Sequence, residues 1–153
     1  SIREALAELE EIRTILLKAI DEDSESFNGF MAALKMPKNT EEEKVLRKTA
    51  MSQALKTASL VPLKVAGQSV RIFKFSRLML ERGNKNAATD AMVSALAART
   101  AAIGALLNVR INLRLIHDPE FVRTTLEEVL RLETLTNEQE KEITEIGYQL
   151  LNQ

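Results

Sequence analysis

Residues 83–112, GNKNAATDAMVSALAARTAAIGALLNVRIN, decide how the rest of the chain is read. After the turn-like Gly-Asn-Lys-Asn, more than twenty residues pass without proline, dominated by Ala, Leu, Val and Ile, with Gly104 as the only further glycine. The run predicts a long helix over about 87–113. At ~100° per residue, Asp90, Ser94, Ala97, Ala101, Asn108 and Asn112 share a strip about 60° wide that is small and polar. Leu96, Ile103, Leu107 and Ile111 occupy other sectors, so the helix is apolar around most of its circumference and is expected to lie buried among partner helices. Asp and Asn side chains inside such a setting cost about 1–3 kcal/mol each unless another helix or a ligand satisfies them.

Upstream, Thr40 followed three residues later by Glu43 is a capping-box signature, and Glu41 and Glu42 suit the positive end of a helix dipole. Apolar residues then recur from Val45 to Met79, through Pro62. A helix-interior proline removes one hydrogen bond and costs ~3 kcal/mol, so a bend or break is expected near residues 59–62. Gly83 supplies the terminator. Lys38 and Asn39, just ahead of the helix, read either as a solvated helix end or as a contact for an anionic tail.

At the N-terminus, Ile2, Leu9, Leu16, Asp23 and Phe30 are spaced by sevens, flanked by Leu6, Ile20, Phe27 and Leu34. This predicts an amphipathic helix of unusual length, ended by Met36-Pro37. Asp23 falls on its apolar line, while Asp21, Glu22 and Glu25 point elsewhere. A carboxyl group buried there would have its charged form disfavoured, raising its pKa toward a range useful for proton transfer. The alternative is that the sequence DEDS breaks the helix and caps the next segment.

Asn84 and Asn86 suit turn and N-cap positions, and Asp90 lies in the first turn of the central helix, where the dipole favours a carboxylate. Asn108 and Asn112 stand four apart on one face, fit for an interhelical hydrogen bond or a ligand contact. Asp90 and Asn108 are separated by about 27 Å along the axis, so one small reacting centre cannot touch both unless the ligand is elongated or a second subunit contributes. Asp118-Pro119-Glu120 opens a last helix, with an interruption expected at Thr136-Asn137. His117 reads as a turn residue. No segment alternates with period two, so no strands are expected, and the fold class is all-α: a bundle of long, partly kinked helices around a central buried one.

The chain has 153 residues, enough for one core. Its 21 basic and 22 acidic residues are intermixed, which argues against a nucleic-acid surface. No cysteine and a single histidine exclude disulfides, thiolate chemistry and multi-histidine metal sites, and fit a cytoplasmic setting. Polar interruptions in the apolar runs argue against a membrane span.

Three stretches in this order carry a resemblance: IDEDSESF at 20–27; MPKNTEEEK at 36–44 leading into ASLVPLKVA at 58–66; and GNKNAATD at 83–90 followed by LLNVRINL at 106–113. Together they resemble the cyclodeaminase domain of formiminotransferase-cyclodeaminase and the similar bacterial methenyltetrahydrofolate cyclohydrolases. The resemblance implies an all-α enzyme of folate one-carbon metabolism that assembles as a homodimer or larger homo-oligomer. Its substrate would be a tetrahydrofolate derivative, with no metal and no other cofactor. It implies cyclodeamination of 5-formiminotetrahydrofolate to 5,10-methenyltetrahydrofolate and ammonia, a step linked to histidine degradation, with hydrolysis of the methenyl compound as the alternative. The family's catalytic aspartate falls on Asp23. Asn84, Asp90, Asn108 and Asn112 match polar positions of its pattern and, with Lys38, are assigned to substrate binding. Family members also carry an N-terminal Pro-Gly-Gly-Gly turn leading into an Ala-rich helix, which has no counterpart in residues 1–153, so a single cyclodeaminase-like domain lacking that segment is expected. A rival reading is a helical module that self-associates through its small polar stripe; it expects Asp23 to be exposed or a cap, with no pocket beside it.

Overall fold

A computed structural model describes residues 2–152 and shows helices joined by short turns, with no strand among the described residues. In chain order these are α1 (Ile2–Leu34), α2 (Glu41–Val70), α3 (Phe73–Arg82) and, after a 3-10 turn at Lys85–Ala87, α4 (Ala88–Leu113) and α5 (Pro119–Leu151). Cross-helix pairs fix the directions. Glu8 meets Arg71 and Lys74, Glu22 meets Lys64, and the Leu34 carbonyl meets Arg47, so partner numbers fall as α1 advances and α1 runs antiparallel to α2. Arg99 with Glu140 and Arg110 with Glu133 set α4 against α5 in the same way. The layers therefore run α1, α2, α4, α5, with α3 packed against α4 and α5.

The core sits on α4. Ala88, Ala91, Ala95, Ala98, Ala102 and Ala105 are all buried and step by three and four, a heptad seam made entirely of the smallest helix-forming side chain. Such a seam lets neighbouring helices approach closely, and Val109, Phe73, Val129 and Ile143 fill the space around it. The other half of α4 is bare: Val93, Leu96, Leu107 and Ile111 are exposed. The expectation of a helix buried all round is thus corrected to one covered on a single side. The segment Lys85–Leu113 is long and apolar enough to cross a membrane by length and composition, with a mean hydropathy of 1.5, but its alanine seam is committed to packing inside the bundle.

The end signals behave as their chemistry requires. Thr40 Oγ1 accepts from the Glu43 amide at 3.1 Å while Glu43 Oε2 accepts from the Thr40 amide at 3.2 Å. Asp118 caps α5, accepting from the Phe121 amide at 3.1 Å and from Lys56 Nζ at 2.6 Å. The Lys56 ammonium and the Phe121 amide hold its carboxyl below the usual aspartate range. At Gly83 a side-chain carbon would lie 2.3 Å from the Met79 carbonyl oxygen, so the end of α3 requires glycine.

The helix interiors settle three open points. α1 passes through DEDS without a break, so Asp23 is no cap. α2 continues past Pro62 and ends at Val70, where Arg71 and Ile72 donate to carbonyls three residues back and Phe73 enters the core. Burial of Phe73, rather than the proline, sets that corner. α5 runs unbroken through Thr136, whose side chain is fully buried and whose hydroxyl has no hydrogen-bond partner among the described residues. An unsatisfied buried hydroxyl costs about 1–3 kcal/mol. Thr136→Val, of nearly equal volume, should therefore raise the urea midpoint by the equivalent of about 1 kcal/mol or more; a lower midpoint would mean that the hydroxyl is satisfied in solution.

Candidate active site

The face of α1 that packs on α2 carries Ile12, Ala19, Ser26 and Ala33, a line of sevens turned roughly 60° from the line through Leu9, Leu16, Asp23 and Phe30. Asp23 consequently stands at the edge of the packed face and is exposed, contrary to the expected burial. The physical reason is that α1 is an outer layer with one principal neighbour, which small residues suffice to seat. The water-free setting expected for its carboxyl is absent in the single chain. No cation pairs with it among the described residues, and its main-chain carbonyl accepts from the buried Ser26 hydroxyl at 2.8 Å.

Asp23 nonetheless borders two hollows. One, of about 530 Å³, lies between α1 and α4 over α2; Asp23 and Ile20 form one wall, Gly104 and Asn108 the other, and Pro62 lies with Val65 along α2. The second, of about 320 Å³, takes in Asp23, Pro62, Asn108 and Asn112 together with Ala58 and Leu115. Because Asp23, Pro62 and Asn108 belong to both, the two form one continuous groove with the acid and the Asn108 amide on opposite walls. The rival reading of a module without chemistry is right about exposure and wrong about the empty surroundings.

The second hollow shares Leu55 and Leu115 with a third, of about 570 Å³, that no acidic side chain lines. Lys38, Lys44, Arg47, Lys48 and His117 line it. Lys44 pairs with Glu41 at 2.6 Å and Arg47 donates to the Leu34 carbonyl at 3.0 and 3.2 Å, whereas Lys38 and Lys48 have no ion-pair partner among the described residues. The sequence points to Lys38 alone among these; His117 stands in the turn between α4 and α5, as expected, and lines the hollow as well. The signal passed over in the sequence is the spacing of Lys44, Arg47 and Lys48, which places three cations on one helix face.

The other expected residues divide. Asn112 lines the groove, but its Nδ2 donates to the Ala58 carbonyl at 2.9 Å, the interhelical bond that its position allowed. Asn84 and Asp90 line none of these hollows. Asn84 caps the 3-10 turn by accepting from the Asn86 amide at 3.0 Å, and Asp90 is exposed in the first turn of α4, several turns from Asn108. The groove residues missed by sequence reasoning are Pro62, taken only as a breaker, and Gly104. No group of acids and histidines suited to a metal ion occurs among the described residues.

A helical domain with one unpaired carboxylate facing an amide across an open groove, leading to a basic hollow, belongs to the class of sites suited to proton transfer on an elongated, anionic-tailed ligand. The chain belongs to the formiminotransferase-cyclodeaminase family, whose profile matches residues 1–131. It is 35% identical over 131 residues to the formimidoyltransferase-cyclodeaminase of Gallus gallus, covering 86% of this chain and 24% of that protein. It is 34% identical over 128 residues to the methenyltetrahydrofolate cyclohydrolase of Methylorubrum extorquens, covering 84% of this chain and 62% of that one. The crystal structure of formiminotetrahydrofolate cyclodeaminase from Thermotoga maritima superposes with a TM-score of 0.79 at 27% identity, over 93% of this chain and 67% of that chain. The chain thus spans about a quarter of the chicken protein and under two thirds of the bacterial one.

Gly104 faces open space: a side-chain carbon built there meets no atom within 4 Å. Since glycine in a helix interior costs about 0.5–1 kcal/mol relative to alanine, Gly104→Ala should raise the thermal midpoint by that equivalent; a fall would show that the groove wall is closely packed in solution.

Proposed function

We propose that this chain acts on a tetrahydrofolate one-carbon derivative, as a formiminotetrahydrofolate cyclodeaminase. The observation that carries the reading is Asp23, unpaired and opposite Asn108 over Pro62, in a chain similar to proteins named for this chemistry. In the reaction, the second folate nitrogen attacks the carbon of the protonated formimino group, giving a tetrahedral centre bonded to three nitrogens. Asp23 as carboxylate takes the proton from the attacking nitrogen. It then hands that proton to the amino group, whose C–N bond breaks to release ammonia and leave the methenyl bridge. One proton is removed and one returned, so the carboxyl ends as it began, and neither a metal nor a cofactor besides the folate itself is called upon. Asn108, on the far wall, is assigned to hold the ring system. Asn84 and Asp90, which line none of the hollows, would meet a substrate through its elongated form or as contributions of a second copy. A homodimer is the assembly we favour, because Leu17, Ile20 and Phe27 of α1 and Val93, Leu96, Leu107 and Ile111 of α4 stay exposed in the single chain. A cytoplasmic location follows the same reading.

The similarity to the bacterial cyclohydrolase supports a second reading, in which Asp23 activates water against the methenyl carbon. Release of ammonia from 5-formiminotetrahydrofolate, followed alongside methenyl absorbance, separates the two. Ammonia release supports cyclodeamination; loss of methenyl absorbance without ammonia supports hydrolysis, and activity on neither substrate overturns both. Asp23→Asn should lower kcat about 10²- to 10⁴-fold with the helical circular dichroism unchanged. Near-normal turnover would remove the acid from its role.

Folates end in one or more glutamyl carboxylates, and the basic hollow is the complement of such a tail. With each lost charge contact worth ~0.5–1.5 kcal/mol, the double variant Lys38→Glu, Lys48→Glu should raise KM about tenfold and leave kcat within about twofold. An unchanged KM would detach the hollow from the substrate.

A further inference from the structure

Pro62 lies inside α2 and has no N–H, so the carbonyl four residues earlier, on Ala58, is deprived of its helical donor. Buried and half-buried carbonyls need a partner, and a helix-interior proline takes that partner away while its ring crowds the same carbonyl. Here α2 continues as helix through the proline, and the orphaned carbonyl is occupied: Asn112 Nδ2 of α4 donates to Ala58 O at 2.9 Å across the α2–α4 interface. The neighbouring carbonyls that carry an extra bond are served locally, Ser59 Oγ donating to Leu55 O at 2.9 Å within the same helix. Ala58 thus receives from another helix the bond that its own helix cannot supply.

The acceptor and the proline both line the groove beside Asp23. We propose that Asn112 is a positioning residue: its amide stands in for the backbone donor that Pro62 lacks and so fixes the floor of the groove. The assignment rests on the groove being the reaction site, although the latch itself is independent of any substrate. It gives Asn112 a structural task through one N–H of its amide, while the second N–H and Oδ1 are not used by the latch.

The test is a double-mutant cycle in the whole chain, using Asn112→Ala, Pro62→Ala and the pair together. Pro62→Ala restores a backbone N–H for the Ala58 carbonyl. Asn112→Ala should therefore lower the urea midpoint clearly in the wild-type background and by less than a third as much in the Pro62→Ala background. Equal losses in both backgrounds would overturn the latch. Amide exchange supplies a readout that general destabilisation would not give: Asn112→Ala should speed exchange at residues 61–66 at least tenfold while that around Ile143 changes less than twofold. A uniform rise would reduce Asn112 to ordinary packing. If a variant fails to fold, the wild-type protein decides, because the Asn112 side-chain amide should show a scalar coupling through the hydrogen bond to the Ala58 carbonyl carbon, and its absence overturns the proposal. In turnover, Asn112→Asp, which keeps an acceptor but cannot donate, should lose kcat/KM as Asn112→Ala does, at least tenfold, and the double variant should regain half of that loss on a logarithmic scale. Retained activity in Asn112→Asp would point to substrate contact through the oxygen instead. An inactive wild-type protein would remove the proposed reaction and leave the latch to be judged on the cycle and the coupling.

Discussion

The packing of α4 against its neighbours through a run of alanines is the constraint from which the remaining geometry follows. Ala88 to Ala105 step by three and four with nothing larger on the seam, so α2 and α5 close in on the backbone of α4 rather than on its side chains. This approach lets an asparagine amide on α4 reach a main-chain carbonyl on α2, at 2.9 Å, without a long side chain on either side. It also occupies only one side of α4. The opposite side, with Gly104 and Asn108, is left over to face α1 across open space. Packing and groove are two sides of a single helix, and the small residues serve both.

The parts legible in the sequence were those governed by local chemistry. The Thr40–Glu43 box, the Asp118-Pro119 start and the Gly83 stop depend on residues within one turn of each other, and they appear where the pattern places them. The long all-helical layout followed from the absence of period-two segments and from uninterrupted apolar runs. What a wheel could not give was the rotation of α1. Two lines of sevens run along that helix, one through Leu9, Leu16 and Asp23 and one through Ile12, Ala19 and Ser26; hydrophobicity favours the first, and closeness of approach to α2 selects the second. Asp23 therefore lies off the packed line and is exposed, against the burial expected of it.

The break after α2 was illegible for a different reason. Propensity assigns a cost to Pro62 of ~3 kcal/mol without asking whether another helix can replace the lost hydrogen bond. Here Asn112 does, α2 runs through the proline without a break, and the helix ends eight residues on at Val70, next to the buried Phe73. The same blindness hid the basic hollow. Lys38 precedes α2, Lys44 to Lys48 lie on its first turns and His117 follows α4, so only the closed bundle brings them to one place.

Exposure of Asp23 bears directly on how such a site would operate. A carboxylate in contact with water is a poor proton shuttle, because solvent competes for the proton and screens the developing charges. The groove beside it has one wall of α1 and one of α4; Ile20 and Phe27 line it on the α1 side, and Leu107 and Ile111 are exposed elsewhere on α4. Apolar flanks around an open acid are what a bound aromatic ring system or a second helical surface would cover, and either would exclude water from the carboxyl at the moment of reaction. The single chain thus provides the acid, the facing amide and a floor held by Asn112. The dry environment that gives those groups their strength has to arrive with whatever closes the groove.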